Sequence, residues 1–157
     1  MGETSAKLER MSRARVKDPA SVPEPLEREP DLVTVDTTWG EVQPLQCAPR
    51  VVTLGELEII EHVRGGAALI DTRVADSRSG ATIPGAVNIP HDEMSARATE
   101  LDQSRISILF CNGPQCPQSP SAIRELLEIG YPASALAYYR GGLHDWVTLA
   151  MPIEGIG

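Results

Sequence analysis

Ile106-Ser107-Ile108-Leu109-Phe110-Cys111-Asn112-Gly113-Pro114-Gln115-Cys116-Pro117-Gln118-Ser119-Pro120 reads as a strand, a loop and a helix start in succession. The apolar run from Ile106 to Phe110 has the length of a buried strand. It ends on Cys111, and a loop rich in glycine and proline follows, carrying Cys116. Ser119 suits an N-cap and Pro120 a first helical position. This order sets a thiol at the carboxyl end of a strand, facing the start of a helix. Loop N–H groups and the positive end of the helix dipole favour thiolate over thiol there. Thiolate is the reactive form, so Cys111 is expected to be an accessible nucleophile.

Working outward, Ile123, Leu126 and Leu127 continue the helix until Gly130 stops it. Ala135 to Tyr139 predicts a strand, Gly141-Gly142 a turn, and Leu143, Trp146, Val147 and Leu149 one face of a last helix. Upstream, Thr53-Leu54-Gly55-Glu56 has capping-box form. It opens a helix through Leu57, Ile60 and Val63 that ends at Gly65-Gly66. Ala67-Ala68-Leu69-Ile70 predicts a short buried strand ending at Asp71-Thr72-Arg73. Residues 74–85 are polar loop, Ala86 to Pro90 another short strand, and His91 to Ala98 a small helix. Leu32 to Val35 and Val51-Val52 are β-branched and suit short strands. Strands alternate with helices from residue 51 onward. That alternation implies an α/β fold with a parallel sheet and helices on both faces. In such folds catalytic groups sit at the carboxyl ends of strands, where Cys111 falls.

The chain's 157 residues suit one domain with a real core, expected over residues 51–157. Residues 1–31 mix both charges with Pro19, Pro23, Pro25 and Pro30, which predicts a disordered tail. Residues 32–50, with Trp39-Gly40 and Gln43-Pro44-Leu45, predict an irregular flanking segment. The net charge of −8 argues against nucleic acid and anionic membranes as partners. No apolar run is long enough to span a bilayer, and Met1 to Leu8 lacks the hydrophobic segment of a secretory signal. A cytoplasmic protein is therefore expected. Three cysteines, two of them in one loop, make a poor disulfide framework and a plausible reactive site.

Four segments together resemble a rhodanese-like (sulfurtransferase) domain. Leu69-Ile70-Asp71-Thr72-Arg73 is similar to the family's "hydrophobic–Asp–x–Arg" strand end. Ile83-Pro84-Gly85-Ala86-Val87-Asn88-Ile89-Pro90 is similar to its "IPGAxNIP" signature, and Ile108-Leu109-Phe110-Cys111 to its strand and catalytic cysteine. Tyr139-Arg140-Gly141-Gly142-Leu143-His144-Asp145-Trp146 resembles its closing "GG…W" segment. All four occur in the family order. The resemblance implies a central, mainly parallel sheet of about five strands with helices on both faces. It also implies a reaction. The Cys111 thiolate attacks the outer sulfur of a small anionic donor such as thiosulfate, and a persulfide forms as sulfite leaves. A thiol, cyanide or a protein acceptor then takes the sulfur. No cofactor is implied. The loop departs from the common pattern: Gly113 stands one position early, Pro117 and Gln118 replace small or basic residues, and Thr82 replaces a histidine.

A persulfide anion needs several N–H donors around it, and the loop Asn112, Gly113, Pro114, Gln115, Pro117, Gln118 and Ser119 is placed to supply them. Pro114 and Pro117 lack N–H groups; they stiffen the loop and limit which positions donate. Cys116 has two open readings: a resolving or second sulfur-carrying thiol, or a small loop-packing residue. Cys47 suits plain packing. Asp71, Arg73 and Arg140 support the site, the arginines either attracting an anionic donor or, with Asp71, holding loops together. Two further activities remain as alternatives: a thiol-disulfide switch using Cys111 and Cys116, and a non-catalytic binding module. A Cys-x5-Arg phosphatase is not expected, because Pro117 occupies the arginine position. A zinc site lacks convincing further ligands.

Overall fold

The computed structural model describes residues 24–26, 28–34, 42–78 and 80–156. Most of the predicted tail, and Trp39-Gly40, lie outside the described residues. Within the rest of that stretch, β1 (Glu24–Leu26) and β2 (Glu29–Thr34) pair as an antiparallel ribbon, Glu24 opposite Thr34.

The central sheet holds five strands, all parallel: β3 (Val52–Thr53), β4 (Ala68–Asp71), β6 (Val87–Asn88), β7 (Ser107–Phe110) and β8 (Leu136–Tyr139), in the spatial order β3-β8-β7-β4-β6. β5 (Ala81–Thr82) and β9 (Glu154–Gly155) pair antiparallel beside it. Every residue of β7 and β8 is buried, as a parallel strand covered on both faces requires. Alternation then divides their side chains between two apolar layers. Ile70, Leu109, Leu136 and Tyr138 face α2 (Gln118–Glu128), which contributes Ala122, Ile123 and Leu126. Leu69, Ile108, Phe110, Ala137 and Tyr139 face α1 (Glu56–Arg64) and α3 (Gly142–Thr148), which contribute Ile59, Leu143, Trp146 and Val147. Helices therefore cover both faces, as the sequence predicted.

Local differences have local causes. The helix expected to be capped at Thr53 is capped at Gly55, whose N–H donates to Glu58 Oε1 at 3.0 Å. This shift turns Ile59 inward and leaves Leu57 75% exposed. The small helix expected over His91 to Ala98 is two separate 3-10 turns, His91–Glu93 and Ala98–Glu100. The last helix stops before Leu149, which is exposed and not part of its buried face.

β4 and β7 lie side by side in register, Asp71 opposite Phe110. The chain leaves β4 toward one sheet edge and leaves β7 toward the other. Their carboxyl ends thus open a crevice at the point where strand order reverses, the usual place for a site in an open α/β sheet.

Candidate active site

Two strand ends and one helix start build the site. Thr72 ties the strand ends together: its N–H and its Oγ1 both donate to the Phe110 carbonyl at 3.0 Å. Its hydroxyl also shares a 2.8 Å hydrogen bond with Ser119 Oγ, which links β4 to α2. Ser119 is thus not the N-cap expected. The helix begins at Gln118, Pro117 takes the cap position, and no side chain caps it.

Beneath the loop lies a buried ion pair. Arg73 and Asp71 are both 0% exposed. Arg73 grips Asp71 bidentately, Nε to Oδ1 at 2.9 Å and Nη2 to Oδ2 at 2.8 Å. Nη2 also donates to the Ala81 carbonyl at 2.8 Å, and Nη1 to Asn112 Oδ1 at 3.0 Å. Every nitrogen of the guanidinium is therefore engaged within the protein. Arg78 and Thr82 add donors to Asp71 Oδ2 at 3.1 and 3.0 Å. A buried carboxylate is tolerated only with such compensation. Asn112 passes the constraint on, since its Nδ2 donates to the Ser77 carbonyl at 3.1 Å. Gln118 adds a second tie: its Oε1 accepts from Val74 N–H and its Nε2 donates to Ser77 Oγ, both at 3.0 Å.

α3 closes the loop from the other side. Leu143 N–H donates to the Cys111 carbonyl at 3.0 Å and His144 N–H to the Asn112 carbonyl at 2.8 Å. Gly142 makes this approach feasible. A Cβ there would lie 2.4 Å from the Cys111 oxygen and 2.6 Å from the Gly113 nitrogen, and its φ is +60°. Only glycine meets both demands. Gly113 is confined in turn, because a Cβ would fall 2.9 Å from Gln115 Oε1 and 3.1 Å from His144 Cβ. The Gln115 amide is buried there with neither polar atom hydrogen-bonded among the described residues.

A strap from the flanking segment crosses the top. Gln43 N–H donates to the Pro114 carbonyl at 2.6 Å, and Gln43 Nε2 to the Gln115 carbonyl at 3.4 Å. Arg140 Nε donates to the Gln43 carbonyl at 2.7 Å, so this arginine clamps the strap. Thr53 Oγ1 holds the Leu45 carbonyl further along.

The two loop thiols sit together under this cover, both free. Cys111 is 1% exposed and Cys116 0%. Cys111 Sγ lies 3.5 Å from the Cys116 carbonyl oxygen. Burial pushes the Cys111 thiol well above its ordinary range, and the neighbouring Cys116 adds to the rise, against the Ser119 N–H and hydroxyl. Cys116 is lowered to about 7, chiefly by a hydrogen bond from the Cys111 thiol. Burial opposes that; the N–H groups of Gln118 and Asn112 and the charge of Arg73 assist. The accessible thiolate expected at Cys111 is not what the structure shows: that sulfur is buried, and burial holds its thiol toward the neutral form. Cys47 is partly buried against the α2-side core, with its thiol raised by burial.

Sequence reasoning passed over Gln43, Arg78 and the backbone role of His144. Gln43 sits in an irregular segment and Arg78 in a polar loop, neither with periodicity, so nothing local marks them. The Gly141-Gly142 pair was visible, but its purpose depends on a loop distant in sequence.

Comparison with known proteins agrees with this geometry. The family model for the rhodanese-like domain matches residues 57–149, more than half of the chain. The HTH-type transcriptional regulator Rv0324 of Mycobacterium tuberculosis is 30% identical over 90 residues, 57% of this chain; the match spans only 38% of the regulator's length. A thiosulfate sulfurtransferase structure from Pseudomonas aeruginosa aligns with TM-score 0.51 and 27% identity, covering 66% of this chain and 20% of that one. Reduced Bacillus anthracis CoADR-RHD aligns with TM-score 0.54 and 30% identity, covering 66% of this chain and 18% of that one. With the parallel sheet, the crevice and the strand-end cysteine in place, this chain belongs to the rhodanese-like domain family.

Proposed function

We propose that this protein is a sulfurtransferase that takes sulfane sulfur from a small anionic donor such as thiosulfate, holds it as a persulfide on Cys111 and passes it to a thiol or cyanide. One observation carries the reading: Cys111 stands at the carboxyl end of β7, at the mouth of α2, with donors from Ser119 and a second thiol beside it. Cys111 Sγ approaches the Cys116 carbonyl oxygen at 3.5 Å, so the two cysteines meet within the loop. The Cys111 thiol loses its proton to solvent and attacks the outer sulfur of the donor, the bond between the two donor sulfurs breaks, and sulfite leaves. The N-terminal end of α2 favours the resulting anion. The P. aeruginosa structure is of a thiosulfate sulfurtransferase, which supports the same class of reaction here.

A second reading rests on the sealed resting thiol and on the regulator relative. In it the domain takes up sulfur once and reports its presence to a partner, without sustained turnover. Thiocyanate formation from thiosulfate and cyanide separates the two. Repeated turnover that falls at least about 100-fold in Cys111→Ser supports the transferase. Uptake of a single equivalent with no further turnover supports the reporter, and no uptake at all contradicts both.

A further inference from the structure

We infer that Cys116 resolves the Cys111 persulfide, so that the loop converts sulfane sulfur into free sulfide and is left with a Cys111–Cys116 disulfide. The inference rests on the proposed uptake of sulfur at Cys111. Three observations carry it. The two cysteines meet within one turn, in which Cys116 N–H donates to the Gly113 carbonyl at 3.0 Å and Cys111 Sγ approaches the Cys116 carbonyl at 3.5 Å. Both sulfurs are served by donors from the start of α2, Ser119 toward Cys111 and Gln118 toward Cys116. The Gln43 strap covers the loop, and both thiols are all but inaccessible.

These features favour an internal acceptor. A bulky external thiol must open the loop to reach a persulfide on the buried Cys111, whereas Cys116 is already in the same turn, at the high effective concentration of an intramolecular group. The Cys116 thiolate attacks Cys111 Sγ. The Sγ–Sγ bond forms, the bond from Cys111 Sγ to the outer sulfur breaks, and that sulfur leaves with the persulfide proton as hydrosulfide. The sulfane sulfur gains two electrons, and the two cysteine sulfurs lose one each. A dithiol reductant then returns the disulfide to two thiols by exchange.

The test is a single turnover. Full-length protein is reduced, freed of reductant and mixed with excess thiosulfate; released sulfide and intact mass are then followed. Wild type is expected to release about one equivalent of sulfide and to lose two hydrogens in mass. Cys116→Ser and Cys116→Ala are expected to keep a stable extra sulfur atom and to release sulfide at least about 10-fold more slowly. Wild type that retains the extra sulfur without forming a disulfide overturns the inference while leaving sulfur uptake intact. So does sulfide release from the Cys116 variants at the wild-type rate. Absence of sulfur uptake in wild type and both variants overturns sulfur transfer itself, and the inference with it.

Discussion

At Cys116 a single hydrogen bond sets the reactivity of the loop. Its thiol is lowered to about 7 mainly because the Cys111 thiol donates to it. A thiol is reactive as its anion, so alkylation of Cys116 is expected to rise as pH increases through about 7 and then level off. Replacing Cys111 with alanine removes the donor, and the midpoint should move up toward the ordinary thiol value of 9.0. Iodoacetamide rates against pH, read by peptide mapping, decide this; an unmoved midpoint in Cys111→Ala contradicts it. The buried Asp71–Arg73 pair makes a second prediction at this scale. Arg73→Leu strands a carboxylate at zero exposure and should cost about 3–5 kcal/mol in denaturant unfolding. Arg73→Lys should rescue only part, because one ammonium cannot serve Asp71, Ala81 and Asn112 from a planar fork.

Between elements, the loop is held on three sides by partners far apart in sequence. At α3 the contact is backbone to backbone, with Gly142 the one residue that permits it. Gly142→Ala adds a Cβ 2.4 Å from the Cys111 oxygen at a positive φ. It is expected to destabilise the fold by about 1–3 kcal/mol and to abolish sulfur uptake; unchanged uptake argues against this closure. At the strap the contact is polar and near the surface. Arg140→Ala removes the clamp on Gln43 and should speed alkylation of the two loop thiols several-fold, with a stability change within about 1 kcal/mol. Equal alkylation rates in variant and wild type would mean that the strap does not control access. This scale also marks the limit of what the sequence discloses. Ile106 to Phe110 announces its strand because four buried apolar or small residues need no distant context. The face of α1 does not: Leu57, Ile60 and Val63 keep helical spacing, yet the cap at Gly55 and the packing of Ile59 choose another face. Ser119 is a good capping residue on its own terms, and Thr72 claims its hydroxyl.

Across the whole molecule, the parallel sheet and its two helical layers follow from alternation that can be read along the chain. The position of Cys111 at a strand end follows from the same pattern. Its state does not follow, because the strap tied to the loop comes from Gln43, separated from it in sequence by four of the five strands of the sheet. Local donors favour an anion at the mouth of α2, as the helix start suggests, but burial outweighs them at Cys111 and pushes its thiol well up. The fold therefore stores its nucleophile toward the neutral form. The most direct measurement maps the sulfur atom itself: Cys116→Ser protein is exposed to thiosulfate, digested, and its two remaining thiol positions, Cys47 and Cys111, are compared by mass. The account predicts the added sulfur on the peptide at Cys111 alone. Sulfur carried at Cys47, or a Cys111 peptide left unmodified, would contradict it.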